Sequence, residues 1–186
     1  MKPLHYMDIK VYQGPANVER TAQGAMNMRE LMTVLHGVFR DNPARFALAY
    51  PEMQTGEFRH PGGIVRVFAD YPDDLLALAH MVDHHGLLDF KVKVKAEVQK
   101  VPDDFGGPWV EYRRMRVPNQ KSRLERCREW CLGHVETLPH FDVHSRSTGQ
   151  YFTVFVEPMD GVSVEDATPD SYGLSVKTRS FALPSL

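Results

Sequence analysis

Apolar and polar positions change period several times along the chain, and each change marks an element. Residues 4–12 alternate and predict a strand. Met28, Leu31, Met32, Leu35 and Phe39 recur at helical spacing and predict a helix over 25–39, which Asn42-Pro43 stops. Short strands are expected over 45–50 and, after Gly62-Gly63, over 64–68. Pro72-Asp73-Asp74 reads as a helix start, with proline and acids in the first turn. That helix carries Leu75, Leu76, Leu78, Ala79 and Val82 and stops near Gly86. Phe90-Lys91-Val92-Lys93-Val94-Lys95 alternates strictly and is the clearest strand of all. The order β-α-β-β-α-β is the ferredoxin-like, split βαβ arrangement, so the fold class is α+β.

Residues 101–108, Val-Pro-Asp-Asp-Phe-Gly-Gly-Pro, break the pattern. They divide a ferredoxin-like domain, 1–101, from a smaller α+β half, 102–186. The second half predicts a strand over 109–117, a helix over 121–133, strands over 141–146 and 151–157, and an extended tail over 172–181.

With 42% hydrophobic residues, the 186-residue chain can bury a proper core. Two cysteines, Cys127 and Cys131, are too few for a disulfide framework, and reduced thiols in a cytoplasmic protein are expected. No apolar run approaches a membrane span, and no signal peptide is indicated. The net charge of −2 argues against generic nucleic-acid binding. Its distribution changes the picture. Arg113, Arg114, Arg116, Lys121, Arg123, Arg126 and Arg128 face only one acid, Glu125, within that segment. A focused basic patch attracts a phosphate backbone while the acidic remainder discourages unspecific binding. A solvated helix face would carry the same charges.

The stretch His144-Ser145-Arg146-Ser147-Thr148-Gly149-Gln150-Tyr151-Phe152 sets hydroxyls, a cation and an imidazole ahead of an alternating run. Such groups suit a ribose-phosphate ligand, which needs charge, hydrogen bonds and a stacking face together. Ser-Thr-Gly is also ordinary turn chemistry. The candidate metal cluster is His80-x-x-Asp83-His84-His85, with His80 and His84 one helical turn apart. No third ligand set announces itself, so neither a metal nor another cofactor is expected. Walker-type loops and G-x-S-x-G elbows do not occur. RNA, however, carries its own nucleophile, the 2′-OH. Cleavage then needs a base near the 2′ proton, a rigid ribose grip and in-line geometry. Histidine titrates near neutral pH and is the natural base. His36 lies late in the first helix, and Gly37 beside it leaves space for a backbone or ribose. A helical histidine can equally be structural.

Ser145-x-Ser147-Thr148-Gly149-Gln150-x-Phe152 and Tyr172-Gly173-Leu174-Ser175 resemble the C-terminal motifs of the CRISPR-repeat endoribonucleases of type I-F systems. His5-Tyr6-Met7-Asp8-Ile9-Lys10 resembles that family's first strand, and Arg29 through Gly37 its first helix. Phe46-Ala47-Leu48-Ala49-Tyr50-Pro51 resembles the next strand. Tyr112-Arg113-Arg114-Met115-Arg116 with Arg123-Leu124 resembles the linker and arginine helix that grip the repeat hairpin.

The resemblance implies a stem-loop-binding C-terminal half and metal-independent cleavage at the 3′ base of the stem, leaving a 2′,3′-cyclic phosphate. It implies CRISPR repeat RNA and the other subunits of a surveillance complex as partners. It gives Ser145 the 2′-OH, Ser147 and Thr148 ribose-phosphate contacts, Phe152 a stacking role and Tyr172 a place against the active histidine. Arg114 and Arg116 match base-reading linker positions, with Arg113 beside them in the basic segment; the family carries glutamine where Arg116 stands. Arg123, Arg126 and Arg128 resemble the groove-binding helix. The chain departs from the family in one respect. The catalytic histidine of well-known members falls one turn later, where Arg40 stands here. Either His36 serves from its own turn, or the base is absent and the chain binds the hairpin without cutting, or Arg40 gives only electrostatic help; if His36 is not the base, His144 lies nearest the serine-rich ribose clamp. A ferredoxin-like RNA-binding module unrelated to CRISPR, and a metal nuclease using His80 and His84, are the remaining alternatives.

Overall fold

The computed structural model describes residues 1–14, 19–95, 97–117, 125–144, 149–163 and 166–186, excepting the side chains of 19–21 and 125–127. Alternation places Met7, Ile9 and Val11 of β1 (His5–Val11) in the core, each at most 1% exposed. The opposite face of β1 carries Asp8, which accepts two hydrogen bonds from Arg66 across the sheet. Helix α1 (Glu19–Asp41) extends past the expected 25–39 at both ends. It buries Met28, Leu31, Met32, Leu35 and Phe39, the stripe legible in the sequence. It stops where the Asn42 side chain turns back onto the Val38 carbonyl, 3.0 Å, ahead of Pro43. Near the start of α1, Asn27 is fully buried and donates to Tyr12 O at 2.7 Å, tying the helix to the end of β1.

β2 (Ala47–Ala49), β3 (Ile64–Ala69), α2 (Pro72–Asp83), β4 (Val92–Val94) and β5 (Gln99–Lys100) follow. The first sheet runs β2-β3-β1-β4, with β5 also on β1, and every pairing is antiparallel. The strand expected over 90–95 is only three residues long. A 3₁₀ turn at Gly86–Leu88 precedes it, Lys91 N bonds back to Leu88 O at 3.0 Å, and Phe90 takes φ 61°. That turn swings Phe90 out to 99% exposure, so the local alternation overstated the strand.

β6 (Trp109–Met115), α3 (Glu125–Val135), β7 (His140–His144), β8 (Tyr151–Gly161) and β9 (Leu183–Pro184) complete the chain. The second sheet runs β7-β8-β6-β9, again antiparallel. The described residues therefore form an α+β fold of three helices and two antiparallel sheets. α1 lies along β7 of the second sheet and also touches β1 of the first. Tyr50 bridges the two sheets, its ring 5.8 Å from Tyr112 and 6.0 Å from Phe141. Burial raises the Tyr50 hydroxyl well above the ordinary tyrosine range, so it stays protonated. One hydrophobic cluster runs from Met7 to Leu183 through both sheets.

The tail expected to be extended over 172–181 is folded into turns. Gly173 adopts φ 73°, and its carbonyl accepts from Leu48 N of β2 at 2.8 Å. Ser175 then exchanges hydrogen bonds with β6: Ser175 N donates to Tyr112 O and Arg114 N to Ser175 O.

Candidate functional site

Residues 29, 33 and 36 share one face of α1 because they stand three and four apart. This face meets the second sheet and the tail. The Thr33 hydroxyl accepts from His144 N at 3.3 Å, and the Arg29 guanidinium lies 5.4 Å from the Tyr151 ring centre. His144 and Tyr151 pair across β7 and β8, with ring centres 4.7 Å apart. One turn further along the helix, His36 reaches the tail.

The His36 ring is held at two points. Nδ1 lies 2.8 Å from the Ser171 carbonyl oxygen. A carbonyl can only accept, so Nδ1 carries the proton. In the neutral ring the lone pair is then on Nε2, which makes Nε2 the basic nitrogen. The flat of the ring stacks on Tyr172, 4.2 Å between centres and 4° between planes. Arg114 Cζ lies 4.2 Å from the centre of the same tyrosine, and Phe152 meets it edge-on at 6.1 Å. Burial raises the Tyr172 hydroxyl above its ordinary value, with Asp170 adding to the effect and the Arg114 and Arg116 charges opposing it. Tyr172 thus remains a neutral donor at physiological pH rather than a base.

Asp170 organises this corner. Its Oδ1 accepts from Tyr172 N at 2.8 Å and Leu174 N at 3.2 Å, and its Oδ2 lies 3.1 Å from Arg114 Nη1. The carboxylate is only 6% exposed. Sequence reasoning overlooked it, although Asp170-Ser171-Tyr172-Gly173 has the form of an aspartate-initiated turn. A Cβ at Gly173 would come within 2.7 Å of Leu48 Cγ, so turn geometry and close approach both require glycine.

Of the expected site residues, His36, Arg114, Phe152 and Tyr172 come together here. Ser145, Ser147, Thr148 and Arg123 lie outside the described residues, as does the side chain of Arg126. Arg113 pairs with Glu111 at 2.8 and 3.0 Å, and Arg114 with Asp170, so two of the linker's three arginines are matched internally. Arg116 is exposed. Arg128, on α3, is half-buried. Arg40, one turn after His36, points to solvent and pairs with Asp41 at 3.1 Å.

His80, exposed on α2, stacks at 4.2 Å on His84, the exposed residue just past the end of that helix. Among the described residues, no group of three or more histidine, cysteine, aspartate or glutamate side chains is arranged to hold a metal ion. Nor is any helix among them long and apolar enough to cross a membrane. No protein-family model matches the chain, and no curated protein matches it in sequence.

Proposed function

We propose that the protein is a CRISPR-repeat endoribonuclease of the type I-F kind. It acts in the cytoplasm, binds the repeat stem-loop, cuts at the 3′ base of the stem and keeps the product as a subunit of a surveillance complex. The observation that carries this reading is the His36–Tyr172 stack, with Ser171 O holding Nδ1. Residues far apart in sequence meet there, and the imidazole is left in the tautomer a general base needs. In the proposed reaction His36 Nε2 takes the 2′ proton. The 2′ oxygen attacks phosphorus, the bond to the 5′ oxygen breaks, and that oxygen leaves and takes a proton from water to become a 5′-OH. The other product end is a 2′,3′-cyclic phosphate. Tyr172 fixes the plane of the base, and Phe152 beside it offers a stacking face. The ferredoxin-like assignment of the first half belongs to the same proposal, supported by the antiparallel order β2-β3-β1-β4 with helices after β1 and β3.

A second reading, a subunit that holds the hairpin without cutting it, is favoured by Arg40 standing one turn beyond His36. An arginine stays protonated and cannot serve as base. Single-turnover cleavage of a stem-loop repeat RNA in excess chelator separates the two. The endoribonuclease reading expects cutting, cyclic-phosphate ends, and an intact complex when the ribose before the scissile phosphate is 2′-deoxy. Tight binding with no cutting by the parent protein overturns it in favour of the second reading.

A further inference from the structure

A separate cavity of about 460 Å³ opens beside the N-terminal half of α1. Met28, Phe141 and Pro61 supply apolar walls, while Gln13, Glu52 and His60 supply a polar edge. Glycines set that edge. A Cβ on Gly24 would come within 2.3 Å of Gln13 Oε1, and one on Gly62 within 2.7 Å of Glu52 Cβ. Gly62 also adopts φ 91°, a conformation other residues rarely take.

The hydrogen bonds already made determine what the edge has left to offer. Gln13 Nε2 donates one N–H to Val11 O at 3.1 Å, and that bond leaves its second N–H as a donor and its carbonyl oxygen as an acceptor. Glu52 Oε2 accepts from Gly63 N at 3.0 Å, which positions the carboxylate and leaves Oε1 unused by that bond. His60 Nδ1 accepts from Gly62 N at 3.0 Å, so the neutral ring carries its proton on Nε2 as a donor. The edge thus presents acceptors on Gln13 and Glu52 and donors on Gln13 and His60, with Arg59 and Asp142 also on the lining, above apolar walls that suit a flat heterocycle. A carboxylate favours donors, and guanine is the nucleobase that sets two neighbouring donors, N1–H and the 2-amino group, beside an acceptor, O6, so Glu52 and Gln13 select for it. Apolar walls with a few fixed polar groups are the usual form of such a site.

The cavity and the His36 stack lie along the same helix. Met28 precedes His36 by two turns, roughly 12 Å of helix. Arg29 lies between them, on the same face as His36, and Arg59 borders the cavity, so cations are available for the phosphates of one connecting strand. We infer that the cavity holds the base of an unpaired guanine nucleotide in the RNA strand that passes the His36 stack. This inference rests on the RNA-cleaving reading above.

The test uses two substitutions that leave the stack alone. Ala25→Trp puts an indole into the cavity from an exposed helix position, and Glu52→Gln removes the carboxylate while keeping its shape. Affinity is measured for the bare stem-loop and for stem-loops carrying a short unpaired tail with either guanine or cytosine. Guanosine and cytidine 5′-monophosphates are titrated alongside. The parent is expected to gain about tenfold from the guanine tail, in line with the worth of one stacked base. Both variants should lose that gain while binding the bare stem-loop as the parent does. The parent should also bind guanosine monophosphate in preference to cytidine monophosphate, and Ala25→Trp should abolish this. Equal gains from both tails, or a guanine gain that survives Ala25→Trp, overturns the inference while leaving the hairpin reading intact. Failure of the bare stem-loop to bind overturns the hairpin reading itself, and the monophosphate titration then decides whether the cavity takes guanine. A variant that keeps the tail gain but loses association with another protein subunit overturns the base site in favour of a protein segment.

Discussion

The imidazole of His36 takes its orientation from Ser171 and Tyr172, and its chemistry can be separated from its packing. His36→Ala is expected to slow single-turnover cleavage by about 10²–10⁴-fold, the usual worth of a positioned general base. Affinity for the stem-loop should stay within a few-fold, because a neutral base adds little to ground-state binding. Unimpaired cutting by this variant would move the role to another histidine, with His144 nearest the clamp. Arg114 poses a different question. The resemblance makes it a base reader, yet its side chain is 15% exposed and paired with a carboxylate that is 6% exposed. Arg114→Ala leaves that carboxylate uncompensated and should destabilise the fold by about 3–5 kcal/mol. Arg114→Lys keeps the charge but loses the planar group over Tyr172. Urea midpoints beside stem-loop affinities will tell the roles apart. A weaker affinity at unchanged stability would make Arg114 a reader of RNA rather than a strut.

At the scale of elements, two glycines make opposite predictions. Gly173 has φ 73° and little room for a Cβ, in the turn that presents Ser171 and Tyr172 to His36. Gly173→Ala should cost at least about 1–3 kcal/mol in backbone strain. It should reduce cleavage more than stem-loop binding, since it misplaces the base and not the basic linker. Gly37 is helical, and an added Cβ there would meet nothing within 4 Å. Gly37→Ala should therefore stabilise α1 by about 0.5–1 kcal/mol. If a ribose or RNA backbone approaches α1 at this point, the same substitution raises the melting temperature while lowering the cleavage rate. A variant both more stable and fully active would show that nothing approaches there.

At the scale of the whole molecule, Glu111 links β6 to the tail. It is 5% exposed and accepts from Arg113, Ser175 and Ser180. Burial alone would raise its pKa, but these hydrogen bonds outweigh burial and hold it below the ordinary value of 4.5. A carboxylate with a depressed folded pKa contributes its full stability above its unfolded value. That contribution is lost as the pH falls through the folded value. Glu111→Gln should thus cost about 1.5–3 kcal/mol at neutral pH. The gap between parent and variant should narrow as the solution is acidified below about pH 4.5. Denaturant midpoints across that range test it, and a gap independent of pH would show that the charge is immaterial.

The sequence by itself determined the elements whose signal is local. The strand at 4–12, the buried stripe of the first helix, its stop at Asn42-Pro43 and the start at Pro72 depend on neighbours a few residues away. Period and turn chemistry are therefore enough to read them. The residues assigned to the site could be named individually, through the resemblance of their motifs, but not placed together. Only the tertiary structure decided that His36 and Ser171, 135 positions apart, share a hydrogen bond. It also decided that Asp170 and Glu111 neutralise the arginines a charge count would leave free, and that Phe90 faces solvent. Each of these follows from how β2, β6 and the tail dock. Docking depends on summed burial across distant segments, and the spacing of residues within any one segment carries no record of it.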